Sequence, residues 1–310
     1  MRVRNVVGVL AAALLALTAC AGSNSGGSGN PGASTAVSGP VKVLYAGSLV
    51  NLMEHSLGPQ FNKDTGGTFQ GFSAGSSALA MQIKGKVRQG DVFISASPSV
   101  NDTLQGPANG NWVSWYVKFA SAPLVIGYNP NSRFAADLKS KPWYQVITEP
   151  GFKMGSTDPK LDPKGKLGQQ ALTEGATTYH DAGLPAAAQK NITVLPETEL
   201  IGRLESGQLD AGFFYSNEAS EQKIPTTTLD QVHLSASYTV TELNMAPDSA
   251  AAEAFVKYLV SPQGVALVKQ DGLTTVPLAL YGDPAQVPAA LKPVLPTTAA
   301  PSPSPSTGGK

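Results

Sequence analysis

Between residues 41 and 98, three apolar strand patterns alternate with helical ones, and each strand runs into its helix through a corner of small residues. "VKVLYAG" (41–47) reads as a buried strand, followed by a helix from Leu49 to about Asn62. "GTFQGFS" (67–73) alternates like a strand, and "SSALAMQIKGKV" (76–87) has helical spacing. "GDVFISAS" (90–97) is a third strand, with a short helix after Pro98. A β-α-β-α-β order predicts parallel strands, because each crossover helix returns the chain to the same end of the sheet. Ligands of such sheets sit outside the carboxyl ends of the strands. The expected fold class is α/β.

The rest of the chain continues in this style. "NWVSWYVKFA" and "APLVIGYN" (122–129) read as two strands, and "FKMGS" (152–156) as a short one. "GKLGQQALTEGATTYHDAG" (165–183) reads as a helix stopped by Gly183. "LIGRLESG" is a helix leading into the strand "QLDAGFFY" (208–215), and residues 249–272 form two helices broken at Pro262. Two such units with a cleft between them suit a chain of 310 residues.

Charge excludes some partners. Lys plus Arg balance Asp plus Glu at 22 each, so no global field favours nucleic acid. The single cysteine, Cys20, excludes an internal disulfide and a cysteine-based metal cluster. It follows a basic start, Met1-Arg2-Val3-Arg4, and an apolar run from Val6 to Leu17 that is short for a membrane span. Leu17-Thr18-Ala19-Cys20 resembles the bacterial lipobox, which implies a signal peptide over 1–20 and acylation of Cys20. The implied protein is extracytoplasmic and anchored to the bacterial cell membrane by its lipid. Residues 21–40 read as a flexible Gly/Ser linker and 293–310 as a Pro/Ser-rich disordered tail, leaving a folded body from about 41 to 292.

Three corners carry small hydroxyl residues: Ala46-Gly47-Ser48, Ala74-Gly75-Ser76-Ser77 and Ser95-Ala96-Ser97-Pro98. Taken singly, each serine reads first as a helix N-cap. At the first two, a glycine also lets a bound group approach the backbone closely. Two helix N-termini facing one cleft make an anion site, and neutral donors suffice to coordinate a small dianion.

"FSAGSSALAMQIKGKVRQGDVFISASP" (72–98) and "YAGSL" (45–49) resemble the molybdate/tungstate-binding proteins of ABC importers. "FASAPLVIGYNPNSRFAADLKSKPWYQVITEPGFKMGSTDPKLDPKG" (119–165) is similar to the tungstate/molybdate branch, and the likeness continues in order to about residue 275. The resemblance implies a two-lobed, class II periplasmic-binding-protein-like fold with the ligand cleft between the lobes. Lobe I would hold 41–120 plus 236–292 and lobe II 121–235, closing about hinges near 119–123 and 230–240. The implied ligand is a molybdate or tungstate oxyanion with no further cofactor, and the implied partners are the permease subunits. The chain would act as a monomer. Carried over by position, Ser48 and Ser76 (or Ser77, one residue on) contact the oxyanion, and Gly47, whose corner lets a ligand approach the backbone, joins the expected ligand-binding set. Asp162 matches an acidic residue that approaches the metal centre, and Tyr215 a tyrosine near the cleft.

One position departs from that branch. Phe214 stands where it has a glutamate, the second carboxylate beside the metal. Asp162 then reads either as a lone metal-directed ligand or as an Asp-Pro turn residue. Glu218 lies one helical turn further on, and nothing in the sequence places it in the cleft. His55, His180 and His233 lack metal-ligand spacing. Trp112, Trp115 and Trp143 read as core residues. Without a GxSxG elbow or a histidine in any corner, the chain is not expected to be an enzyme. The competing readings are capture of another tetrahedral oxyanion, sulfate or phosphate, and a ligand-free surface scaffold.

Overall fold

The computed structural model describes residues 39–301. Cys20, the apolar run before it, the linker up to residue 38 and the chain beyond 301 lie outside the described residues. No described helix is long and apolar enough to cross a membrane.

Among the described residues, ten strands join into one sheet. They are β1 (Pro40–Ala46), β2 (Thr68–Ala74), β3 (Val92–Ser95), β4 (Trp115–Tyr128), β5 (Met154–Ser156), β6 (Ile192–Val194), β7 (Ala211–Tyr215), β8 (Thr226–Thr227), β9 (Ser235–Glu242) and β10 (Thr274–Gly282). Their order is β2-β1-β3-β9-β4-β7-β5-β6, with β8 and β10 also paired to β4. The parallel pairing expected of the first three strands is present, β1 lying between β2 and β3. A second parallel set, β6-β5-β7, forms the other end of the sheet. The fold is the two-lobed α/β class, each lobe built on one parallel set.

The two strands expected over 111–129 are one continuous strand. Residues Val117–Pro123 of β4 pair with β9, and Leu124–Tyr128 pair with β7. Pro123 stands where β4 leaves one partner for the other, so its missing N–H breaks no ladder. The segments expected to act as hinges run side by side here, with Ala120 opposite Tyr238 and Pro123 opposite Ser235. The main core follows these strands, with Val117, Ala122, Leu124 and Ile126 packed in one cluster with Ala236, Tyr238 and Val240. Trp112, Trp115 and Trp143 are all buried.

Other boundaries move. The helix expected over 165–183 spans Pro163–Thr178, and the chain leaves it through His180 in the left-handed region, before Gly183 is reached. The folded body continues past 292, correcting the tail expected from 293. Leu295 is buried, and the Ala300 N–H donates to the Leu280 carbonyl at 2.7 Å. None of the three corner serines caps a helix through its side chain. Ser48 lies inside the short 3-10 turn Gly47–Leu49, Ser76 is the first residue of Ser76–Lys84, and Ser97 hydrogen-bonds Ser99.

Candidate functional site

The carboxyl ends of β1, β2, β5 and β7 converge on one cavity of about 610 Å³. Its wall includes Gly47 and Ser48 after β1, Gly75 after β2, Thr157 and Asp162 after β5, and Glu218 after β7. Ser76, Ser77 and Tyr215 are not part of that wall. Ser76 and Tyr215 are buried beside it, and Ser77 is half-buried.

The serines are engaged in different ways. Ser48 Oγ and the Tyr238 hydroxyl share a hydrogen bond of 2.9 Å in the buried interior. Ser76 Oγ accepts from the Ala96 N–H at 3.1 Å, which leaves its own hydroxyl proton free to donate. The Tyr215 ring meets the Tyr238 ring edge-on, with centroids 6.2 Å apart. Two hydroxyls, Thr157 Oγ1 and Tyr215 Oη, are buried with no hydrogen-bond partner among the described residues. A buried hydroxyl left unpaired costs about 1–3 kcal/mol, so such groups are uncommon unless something else satisfies them.

Asp162 resolves in favour of a turn residue for one of its oxygens. It is the N-cap of Pro163–Thr178, with Oδ1 accepting from the Lys164 N–H at 2.8 Å and proline at the first helical position. Beside it lies a buried charge cluster that the sequence reading did not include. Lys164 Nζ donates to Glu197 Oε1 at 2.9 Å and to Glu218 Oε1 at 2.8 Å, and the lysine side chain is 1% exposed. Burial opposes the Lys164 charge, but Glu197, Glu218 and Asp162 together hold its pKa above the ordinary lysine value. Burial pushes Asp162 well up, Glu197 adds to the shift, and Lys164 offsets part of it. Burial likewise raises Glu218 to about 7, against the pull of Lys164. The cleft therefore holds three carboxyl groups around one ammonium, with two of the three biased toward the neutral form.

Phe214 does not line the cavity, although its ring centroid lies 5.7 Å from Lys164 Nζ. Alternation along β7 puts it on the face opposite Tyr215, in a separate apolar cluster with Leu200, Leu204 and Leu209. Glu218 occupies the cavity wall instead, its Oε2 accepting from the Tyr215 N–H at 2.8 Å. A signal for it existed: in Tyr215-Ser216-Asn217-Glu218 the glutamate stands at N3, where a carboxylate folds back onto the N-cap N–H. Lys164 also left a signal, since a cation in the first turn of a helix opposes the macrodipole and calls for compensation. Glu197, at the start of Glu197–Glu205, had none beyond its favourable helix position.

The two sides of the cleft touch. Asn217 Nδ2 donates to the Ser48 carbonyl at 2.9 Å, and the Ala78 N–H donates to the Leu161 carbonyl at 3.0 Å. The second bond uses one of the free N–H groups at the start of Ser76–Lys84, which the sequence had assigned to an anion. Gly75 is required by this approach, because a Cβ there would meet the Leu161 carbonyl oxygen at 2.5 Å. A Cβ at Gly47 would meet the Glu197 carboxylate, a side-chain end that can move aside.

Residues 41–274 match the family of bacterial extracellular solute-binding proteins. A molybdate/tungstate-binding protein, WtpA, from Pyrococcus abyssi is 24% identical over 304 aligned positions, covering 79% of this chain and 88% of the relative. Among solved structures, the periplasmic molybdate-binding protein of Azotobacter vinelandii aligns with a TM-score of 0.60 at 21% identity, covering 76% of this chain and 99% of that one. The sulfate-binding protein SubI of Mycobacterium tuberculosis aligns with a TM-score of 0.66 at 15% identity, covering 84% and 92%. The family match spans most of the described chain and both parallel strand sets whose ends build the cavity. The chain belongs to the bacterial extracellular solute-binding protein family.

Proposed function

We propose that this protein captures molybdate or tungstate outside the cytoplasm and delivers it to an ABC importer. The observation that carries the reading is the pair of buried, unpartnered hydroxyls, Thr157 and Tyr215, next to the Ser48–Tyr238 pair at the strand ends. Hydroxyl donors held on a rigid sheet are what a compact, fully oxygenated anion requires. The similarity to a molybdate/tungstate-binding relative supports the choice of anion.

In this reading Ser48, Ser76, Thr157 and Tyr215 donate hydrogen bonds, with Gly47 and Ser77 offering backbone N–H groups. Asp162 closes the far side, its carboxyl biased toward the neutral form in which it also donates. Lys164 pairs with Glu197 and Glu218 beneath the cavity and so reduces the negative charge that the dianion meets. Lobe I (41–120 plus 236–292, extended by the packed residues to 300) and lobe II (121–235) close about the paired β4 and β9 segments. Cys20 carries the lipid anchor, the permease subunits receive the anion, and the protein works as a monomer without catalysis.

The donor set also supports a second reading, sulfate or phosphate, because uncharged hydroxyls and backbone N–H groups fit any tetrahedral dianion. Calorimetry with molybdate, tungstate, sulfate and phosphate decides between them. Preference for the two metal oxyanions is expected, and equal or tighter binding of sulfate would overturn the assignment.

A further inference from the structure

The cavity is much larger than a bare oxyanion. A tetraoxoanion has five heavy atoms, and even at the roughly 30 Å³ that a liquid water molecule occupies, these fill about 150 Å³. The cavity holds about 610 Å³. This excess does not come from parted lobes, because Asn217 already bonds the Ser48 carbonyl and Ala78 already bonds the Leu161 carbonyl across the cleft.

Much of the surplus wall is apolar. Val50 and Ala78 line it from one side, and Leu161, Val194, Leu195 and Ile201 from the other. Val50, Leu161 and Val194 are 37%, 40% and 50% exposed and line this one opening together. A hydrated tetraoxoanion gains nothing from such a surface, whereas an organic group is held by the burial of apolar area against it. Ser48, Thr157, Asp162 and Glu218, all buried, collect with Glu197 at the strand ends, while Asn51, Asp158, Glu221 and Gln222 add polar groups among the aliphatic ones. One cavity thus has a polar floor and a mixed vestibule with a large aliphatic share.

We infer that the cleft takes an oxyanion carrying an organic substituent, with the oxyanion on the strand-end hydroxyls and the substituent against Val50, Leu161, Val194 and Ile201. This rests on the oxyanion reading and narrows its substrate class from a bare tetraoxoanion to an organic one. Two chemistries share that description: an organic phosphonate, and a molybdate oxyanion chelated by a small aromatic diol.

Calorimetry on the full chain tests the inference with matched pairs: phosphate against phenylphosphonate, and molybdate against molybdate with excess catechol. At least one organic member is expected to bind ten-fold or more tightly than its bare counterpart. The neutral double variant Leu161→Ser/Val194→Ser should bring that ratio down toward one, with its fold checked by thermal melting. Because both substitutions are uncharged, the two members of each pair feel the same electrostatic change. The pair that shows the advantage distinguishes phosphonate from chelate. If bare anions bind as well as or better than both organic partners, the vestibule is overturned while the oxyanion reading stands. An advantage that survives the double variant also overturns the vestibule. If no probe in either pair binds, both readings fall together.

Discussion

Lys164 Nζ donates to Glu218 Oε1 at 2.8 Å, while Oε2 of the same carboxylate accepts from the Tyr215 N–H at 2.8 Å. One buried glutamate therefore ties the start of the Pro163–Thr178 helix to the end of β7, beneath the cavity. Removing the cation leaves Glu197 and Glu218 without their partner, and breaking a buried pair from one side costs about 3–5 kcal/mol. Lys164→Met should lose this much in urea denaturation at pH 8 and less at pH 5, where Glu218 takes up a proton. Lys164→Met/Glu218→Gln should recover part of the loss, a coupling that a double-mutant cycle reads directly.

Binding should depend on pH through the same carboxyl. Glu218 is raised to about 7 by burial, so it is largely neutral below that pH and anionic above it. An oxyanion is repelled only by the ionised form. Affinity is expected to fall as pH rises from 6 to 8, and Glu218→Gln should flatten the profile. Calorimetry across that range checks both statements.

A second titration lies away from the cleft. Glu242, also raised to about 7 by burial, accepts from the Ser249 hydroxyl with one oxygen, while the other is buried with no partner among the described residues. A carboxyl whose pKa is higher in the folded state stabilises the fold fully below its unfolded value, near 4.5, and that contribution is lost as pH rises through 7. Wild-type stability should therefore decline between pH 5 and pH 8. Glu242→Gln should keep more of its stability at pH 8, as measured by the urea midpoint at each pH.

Gly75 reports on closure. Its φ of −56° suits alanine, so Gly75→Ala strains no backbone, but the new methyl group meets the Leu161 carbonyl. The variant should lose the Ala78–Leu161 hydrogen bond, melt a few degrees below wild type and bind its anion at least ten-fold more weakly, about 1.4 kcal/mol. Small-angle scattering should show less compaction on adding anion than wild type shows.

Much of this architecture was legible in the residues. The 41–98 alternation gave the parallel set, because strand and helix periods differ and the small-residue corners mark the switch between them. The two strands read over 111–129 are one, and only the change of partner from β9 to β7 shows that Ser121, Ala122 and Pro123 continue it. The serine corners were found, but their bonds were not, since Tyr238 reaches Ser48 from 190 positions away. Lys164, Glu197 and Glu218 lie on three separate helices, and no local pattern brings them together. Phe214 drew attention as a lost ligand, when strand alternation had already turned that position toward a core.

The account stands most directly on where the anion sits. Crystals grown with tungstate would place the metal by its anomalous scattering, without relying on the density of light atoms. The account predicts a single strong peak at the strand ends, with anion oxygens within hydrogen-bond reach of Ser48 Oγ and at least one of Thr157 Oγ1 and Tyr215 Oη. A peak elsewhere on the protein, or a cleft without tungsten under saturating tungstate, would contradict it.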